Sequence, residues 1–185
     1  LLATGKGLWT FNLRTEQSSQ FLPDTDISES RINAITQDHS GTVWIGSSSR
    51  GLTSYNRTSK AVQRYTTKNG LSSNRILSLL VDQSGRLWIG TDGGGLNSLD
   101  MRTSRIVHYR SRATDPSTLH TDNITALCGN TAGELWIGTN EGLNVLHTAT
   151  GRMKRLDLHS HIKHTIMSLS QDPSGRMWIA VLDLG

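Results

Sequence analysis

The chain has 185 residues, enough for one sizeable domain. Hydrophobic residues make up 35%, with 18 Gly and only 3 Pro, a balance that excludes a disordered chain and suits short strands joined by tight turns. The net charge of +4 comes from scattered Lys and Arg, there is one Cys, and no apolar run approaches the roughly 20 residues of a membrane helix; nucleic-acid binding, a disulfide framework and a membrane-spanning helix are excluded.

The first residues, LLATGKGLW, lack an initiator Met, a charged n-region and a long apolar h-region, so no signal peptide is read there. LLAT aligns with a WIGT stretch that recurs later, which places residues 1–4 at the end of a strand. An eleven-residue hairpin follows at 11–21 and recurs without gaps at 55–65, 99–109 and 146–156. Its first and last positions are always large and apolar, as expected of two anchors that pack on neighbouring units.

Residues 32–37 begin the first full unit, and one phrase then organises the chain. It reads DHSGTVWIG from Asp38, DQSGRLWIG from Asp82, NTAGELWIG from Asn130 and DPSGRMWIA from Asp172. Its Trp residues, Trp44, Trp88, Trp136 and Trp178, are spaced by 44, 48 and 42 residues. That period marks an array of similar supersecondary units. The Asp side chains are expected to accept from backbone N–H groups two or three residues on. Gly41, Gly85, Gly133 and Gly175 supply positive φ to close the turn. Each Trp is expected to fill the space between adjacent sheets. Asn130 also accepts, so it is expected to serve in the same turn, and WIA in the last copy makes that Gly preferred rather than obligatory.

Within the second full unit, short apolar or alternating runs predict strands A (76–81), B (87–91), C (96–100) and D (106–110). Strand A recurs at 32–37, 124–128 and 166–170. No segment carries a sustained 3.6-residue period with caps, so helix is expected to be nearly absent. The predicted fold is all-β, a β-propeller of four-stranded antiparallel blades in an incomplete arc. Its segments are 1–25 (strands B to D), blades at 26–68, 69–113 and 114–158, and 159–185 (strands A and B), or about 17 strands in all.

The A-strand Ile, the D-x-S-G-x-x-W-I-G phrase, the T-x-G-G-L stretch and the aromatic after the hairpin resemble two-component regulator propeller repeats. The resemblance runs over essentially the whole chain. It implies a non-catalytic, periplasmic sensor segment of a membrane-anchored receptor, usually a histidine kinase, a hybrid two-component regulator or a diguanylate cyclase. It also implies a small polar or oligosaccharide ligand, dimerisation in the intact receptor, and no cofactor. A protein-interaction propeller and a propeller enzyme acting on carbohydrate are the alternatives. The Trp-Asp and Gly-His signatures of WD40 blades do not recur here.

Four copies of one phrase cannot all be one site, so function is sought where the copies differ. In propellers the D–A and B–C connections share one face around the central channel, and variable loops carry binding. On the D–A side stand Arg31 and Asn33, Asn74 and Arg75, Asp122 and Asn123, and Lys163 and His164. From the B–C side come Arg50, Asp92, Asn140 and Glu141. Arg suits planar anions because its fork donates two hydrogen bonds. The HSHIKH stretch (His159, His161, His164) reads as a solvated loop rather than a metal site. Gly93–Gly95 reads as a turn, since no helix follows to face a phosphate. Tyr55, Tyr65 and Tyr109 sit at hairpin anchor positions and read as packing, and Cys128 as a small buried hydrophobe.

Overall fold

The computed structural model describes residues 2–4, 7–21, 30–156 and 164–182. Among these, 17 strands form five antiparallel sheets in chain order. The first contains β1 (Leu2–Thr4), β2 (Gly7–Asn12) and β3 (Gln17–Gln20). Three four-stranded sheets follow. They are β4 (Ile32–Gln37), β5 (Val43–Ser47), β6 (Leu52–Tyr55) and β7 (Val62–Tyr65); β8 (Ile76–Val81), β9 (Arg86–Thr91), β10 (Leu96–Asp100) and β11 (Arg105–Tyr109); and β12 (Ile124–Gly129), β13 (Glu134–Thr139), β14 (Gly142–His147) and β15 (Arg152–Leu156). A two-stranded sheet, β16 (Thr165–Gln171) and β17 (Met177–Leu182), ends the description. The only helical element among the described residues is one 3-10 turn, Thr67–Asn69.

Each sheet is an up-and-down meander, because every strand pairs with its chain neighbour across a short turn. β4, β8, β12 and β16 lie side by side as the inner strands of successive blades. The expected strands A and C of the second unit match β8 and β10 residue for residue. The expected strand D falls one residue earlier, because Tyr109 pairs with Leu96 while Arg110 turns away to reach the Gly93 carbonyl at 3.0 Å.

The repeated phrase builds the same turn each time. Asp38 Oδ1 accepts from the N–H groups of Ser40 (2.9 Å) and Thr42 (3.0 Å) and from the Ser40 hydroxyl. The donors therefore lie two and four residues on, while Gly41, three residues on, gives its N–H to the Asp38 carbonyl. The φ of +85° at Gly41, repeated at Gly85, Gly133 and Gly175, is the left-handed conformation the sequence requires there. The other aspartate oxygen does more than shape the turn: it accepts from the indole Nε1 of Trp44 at 2.9 Å, of Trp88 at 2.7 Å and of Trp178 at 3.1 Å. One carboxylate thus fixes a turn and aims the aromatic that joins two blades.

Burial follows. Trp44 is 4% exposed and packs in one cluster with Leu71, Ile76 and Leu87 of the next blade. Trp88 is 0% exposed and packs with Leu119, Ile124 and Leu135 of the blade after. Trp178 is 60% exposed, since no described sheet follows β17. Tyr55 and Tyr65 are buried at the hairpin anchors, and Phe21 meets Tyr55 edge-on across a blade junction at 5.0 Å between ring centroids. Phe11 departs from the anchor pattern and is 43% exposed.

One expectation holds with a difference, and one changes. At Asn130 the turn bonds survive, from Ala132 N–H (3.0 Å) and Glu134 N–H (2.9 Å), but the amide nitrogen donates to Glu134 Oε2 and accepts nothing. The buried Trp136 Nε1 is left without a hydrogen-bond partner. The Gly of WIG is a steric requirement wherever a blade follows. A Cβ on Gly46, Gly90 or Gly138 would lie 2.5, 2.7 or 2.6 Å from Cγ2 of Ile76, Ile124 or Ile166. Ala180 is tolerated where no described blade packs against it.

Candidate channel-mouth site

Every inner strand carries a bulge at the same place. The pairing register shifts between Ile32 and Ala34, Ile76 and Ser78, Ile124 and Ala126, and Ile166 and Ser168. The extra residues are Asn33, Leu77, Thr125 and Met167. A bulge leaves one residue unpaired and re-aims its side chain. All four line a shared concavity of about 380 Å³ with Arg31, Ser48 and Arg75. Two of these side chains also tie blades together: Asn33 Nδ2 donates to the Ile76 carbonyl at 2.8 Å and Thr125 Oγ1 to the Ile166 carbonyl at 2.5 Å.

The rim repeats as well. The residue before each inner-strand Ile gives its carbonyl to the B–C loop: Arg31 to Ser48 N–H, Arg75 to Asp92 N–H and Asn123 to Asn140 N–H. The side chains at these pairs set the local charge. Arg75 Nη2 pairs with Asp92 Oδ2 at 2.6 Å, with the Arg side chain 65% exposed. In the first blade the place of Asp92 is taken by Ser48, so Arg31 faces a hydroxyl-bearing residue where Arg75 faces a carboxylate. In the third blade both positions are amides, Asn123 and Asn140. The cationic part of the mouth therefore lies on the first two blades.

Of the sequence candidates, Arg31, Asn33 and Arg75 are brought together here. Others hold the loops. Asn74 Oδ1 accepts from Thr67 N–H at 2.8 Å, and Asp122 Oδ1 from Ser111 N–H at 2.7 Å while its Oδ2 meets Arg110 at 3.3 Å. Asn123 Oδ1 accepts from Gly93 N–H at 2.6 Å, and Asn140 Oδ1 from the Thr121 hydroxyl at 2.6 Å. Arg50 is exposed, Glu141 and His164 are partly buried, and none of the three lines the concavity. Lys163, His159 and His161 lie outside the described residues. Among the described residues no group of three His, Cys, Asp or Glu side chains is placed to hold a metal. Gly93 and Gly95 adopt φ of +72° and +71°, as a turn requires.

Sequence reasoning missed Ser48, Leu77, Thr125 and Met167, and it missed the device that secures the D–A loops. Thr53, Asn97 and Asn144 are equivalent in strand C, opposite Arg64, His108 and Arg155 in strand D. Asn97 accepts from Ser72 N–H (3.0 Å), and Asn144 accepts from His120 N–H (3.1 Å). His108 reaches the Gly70 carbonyl at 2.8 Å. Arg155 donates to the carbonyls of Arg112, Asp115, Thr118 and Leu119, pinning the longest connection. Cys128 is half-buried, and burial pushes its thiol above the ordinary value.

Meandering four-stranded blades around shared inner strands define a β-propeller. Residues 26–49 and 70–93 match the family described as two component regulator propeller. Comparison with curated protein sequences gave no match. Among solved structures, the extracellular domain described as that of the hybrid two-component system BT4673 from B. thetaiotaomicron superposes with a TM-score of 0.81 at 24% identity, over 97% of this chain and 23% of that one. The corresponding domain of BT3049 from the same organism gives 0.71 at 21% identity, over 80% and 22%. PorZ, a surface component of the type-IX secretion system of Porphyromonas gingivalis, gives 0.71 at 17% identity, over 96% and 29%. The chain thus spans a quarter or so of the length of these structures, and the likeness establishes the fold.

Proposed function

We propose that this chain is a non-catalytic, extracytoplasmic sensor segment of a bacterial two-component signalling receptor, and that the concavity at Arg31 and Arg75 is its ligand face. The observation that carries this reading is the match of two blades to the regulator-propeller family. The fold likeness to two extracellular receptor domains supports it. The ligand is polar and carries an anionic group. Arg31 anchors that group, Asn33, Ser48 and Thr125 offer further hydrogen bonds, and Leu77 and Met167 give an apolar wall. Arg75, already paired with Asp92, positions that carboxylate and shares its charge with an incoming anion.

Signalling follows from unequal binding to two arrangements of the receptor, because a ligand shifts an equilibrium only by its differential affinity. The receptor is periplasmic in its sensor part, dimeric and membrane-anchored, and the propeller passes its state to a cytoplasmic output domain. Thermal stabilisation by a pool of acidic oligosaccharides, lost in Arg31→Gln, tests the reading. Turnover of the pool, or stabilisation unchanged by that substitution, would overturn it.

A further inference from the structure

The face opposite Arg31 and Arg75, where the A–B turns lie, is closed at one blade junction and open at the next. Between the first two blades His39 spans the gap, its Nε2 3.4 Å from the Asp82 carbonyl. The equivalent residue of the second blade, Gln83, is exposed and makes no such bond among the described residues. The third turn departs further from its siblings. Gly129 stands where the others have Gln37, Val81 and Gln171, and Glu134 where they have Thr42, Arg86 and Arg176. Gln37 and Gln171 fold their amides back onto the carbonyls of Gly41 and Gly175, at 3.1 and 3.2 Å. Gly129 has no side chain to do so. The result is a groove of about 520 Å³ between the second and third turns.

Its apolar lining is Leu80, Val81 and Leu135, and its only ionisable side chains among the described residues are Asp82 and Glu134. Both oxygens of Asp82 are occupied, by Ser84, Arg86 N–H and Trp88. Glu134 has one oxygen on the Asn130 amide at 2.9 Å, and its other oxygen has no hydrogen bond among the described residues. An anion is repelled here, and a purely apolar molecule leaves the carboxylate uncompensated. An aliphatic stem against Leu80 and Leu135, ending in an ammonium at Glu134, satisfies both. We propose that this groove is a second binding site, for a small aliphatic amine, independent of the ligand face on the other side.

The test titrates cadaverine, pentanediol and glutarate, which share a five-carbon stem and differ in charge, into the full chain, followed by amide NMR and calorimetry. Cadaverine is expected to bind and to shift the amides of residues 129–135, while the diol and the diacid do not. Glu134→Gln keeps the bond from Asn130 and is expected to weaken cadaverine about tenfold, the scale of one charge-assisted hydrogen bond. Gly129→Gln restores the side chain of two of the sibling turns, those of Gln37 and Gln171, and binding is expected to be lost. A Cβ there meets only Leu80 Cδ2, at 3.4 Å, so the fold accepts it. The proposal is overturned if cadaverine does not bind, if pentanediol binds as well, if Glu134→Gln binds cadaverine undiminished, or if the shifts map to Arg31 and Arg75 instead.

Discussion

Replacing Gly90 with Ala probes the junction between the second and third blades. The new Cβ would collide with Ser78 Oγ and lie 2.7 Å from Ile124 Cγ2 and 3.0 Å from Ile124 Cβ. The Ser78 hydroxyl can rotate away. Ile124 cannot, because it is β-branched, fully buried and set in the next blade's inner strand. The inner strand of the third blade must therefore move outward by a sizeable fraction of an ångström, loosening the cluster around Trp88. Overpacking of this kind costs about 1–3 kcal/mol, against about 0.4–1 kcal/mol recovered from the less flexible unfolded chain. A net loss of about 1–2 kcal/mol lowers the melting temperature by roughly 2–8 °C for a chain of this size. The assay is thermal and urea unfolding of Gly90→Ala, Ile124→Ala and the double variant. Ile124→Ala alone removes a buried side chain at about 2–5 kcal/mol. The double variant should cost less than the sum by about 1 kcal/mol, because the two changes share one space. A Gly90→Ala protein as stable as the parent, or strictly additive costs, would refute the steric reasoning.

Asp82→Asn should destabilise by about 1–3 kcal/mol in urea unfolding, because the buried Trp88 indole N–H loses its acceptor as Trp136 has. The converse pair, Asn130→Asp with Glu134→Arg, recreates the arrangement in which Arg176 Nε meets Asp172 Oδ2 at 2.9 Å, and should stabilise by about 1 kcal/mol. Arg155→Ala removes the donor that holds four loop carbonyls, and limited trypsin digestion should then cut at Arg112 at least about tenfold faster, as local opening of the loop becomes cheaper. For Asp38, burial raises the carboxyl pKa, but bonds from Ser40, Trp44 and Thr42 outweigh it and hold the group below 3.8. A depressed folded pKa gives stability that is present above the ordinary value and lost as pH falls through the folded one. Thermal melts of the parent should therefore lose stability below about pH 4, and Asp38→Asn should flatten part of that fall.

The architecture was legible because the A–B turn needs Asp, Gly and Trp at fixed offsets, and those residues recur where the turn recurs. Strand A was legible for a similar reason: its first Ile fills the same inter-blade slot each time. What escaped notice lacked a residue signature. The bulge places Asn33, Leu77, Thr125 and Met167 at one structural position, but a bulge is set by pairing register, and four unlike side chains do not reveal it. His108 and Arg155 are likewise unlike each other, and each acts on a loop that only the folded blade brings near. At the third turn the letters were visible, yet their meaning needed geometry: Asn130 keeps the turn and loses the Trp bond, while Gly129 leaves a space that Gln fills elsewhere. For the polar loop residues the letters show hydrogen-bonding groups, and only the fold shows their partners. Asn74, Asp122, Asn123 and Asn140 are polar because loop backbone must be hydrogen-bonded, and they meet that need before any ligand arrives.

The sensor reading turns on whether the channel mouth controls output. On that reading, a transcriptional reporter driven by the intact protein should respond to an inducing ligand with the parent sequence. It should fail to respond with Arg31→Gln and Arg75→Gln together, while the isolated chain bearing both substitutions melts as the parent does. An undiminished response in that variant would contradict the assignment of the mouth.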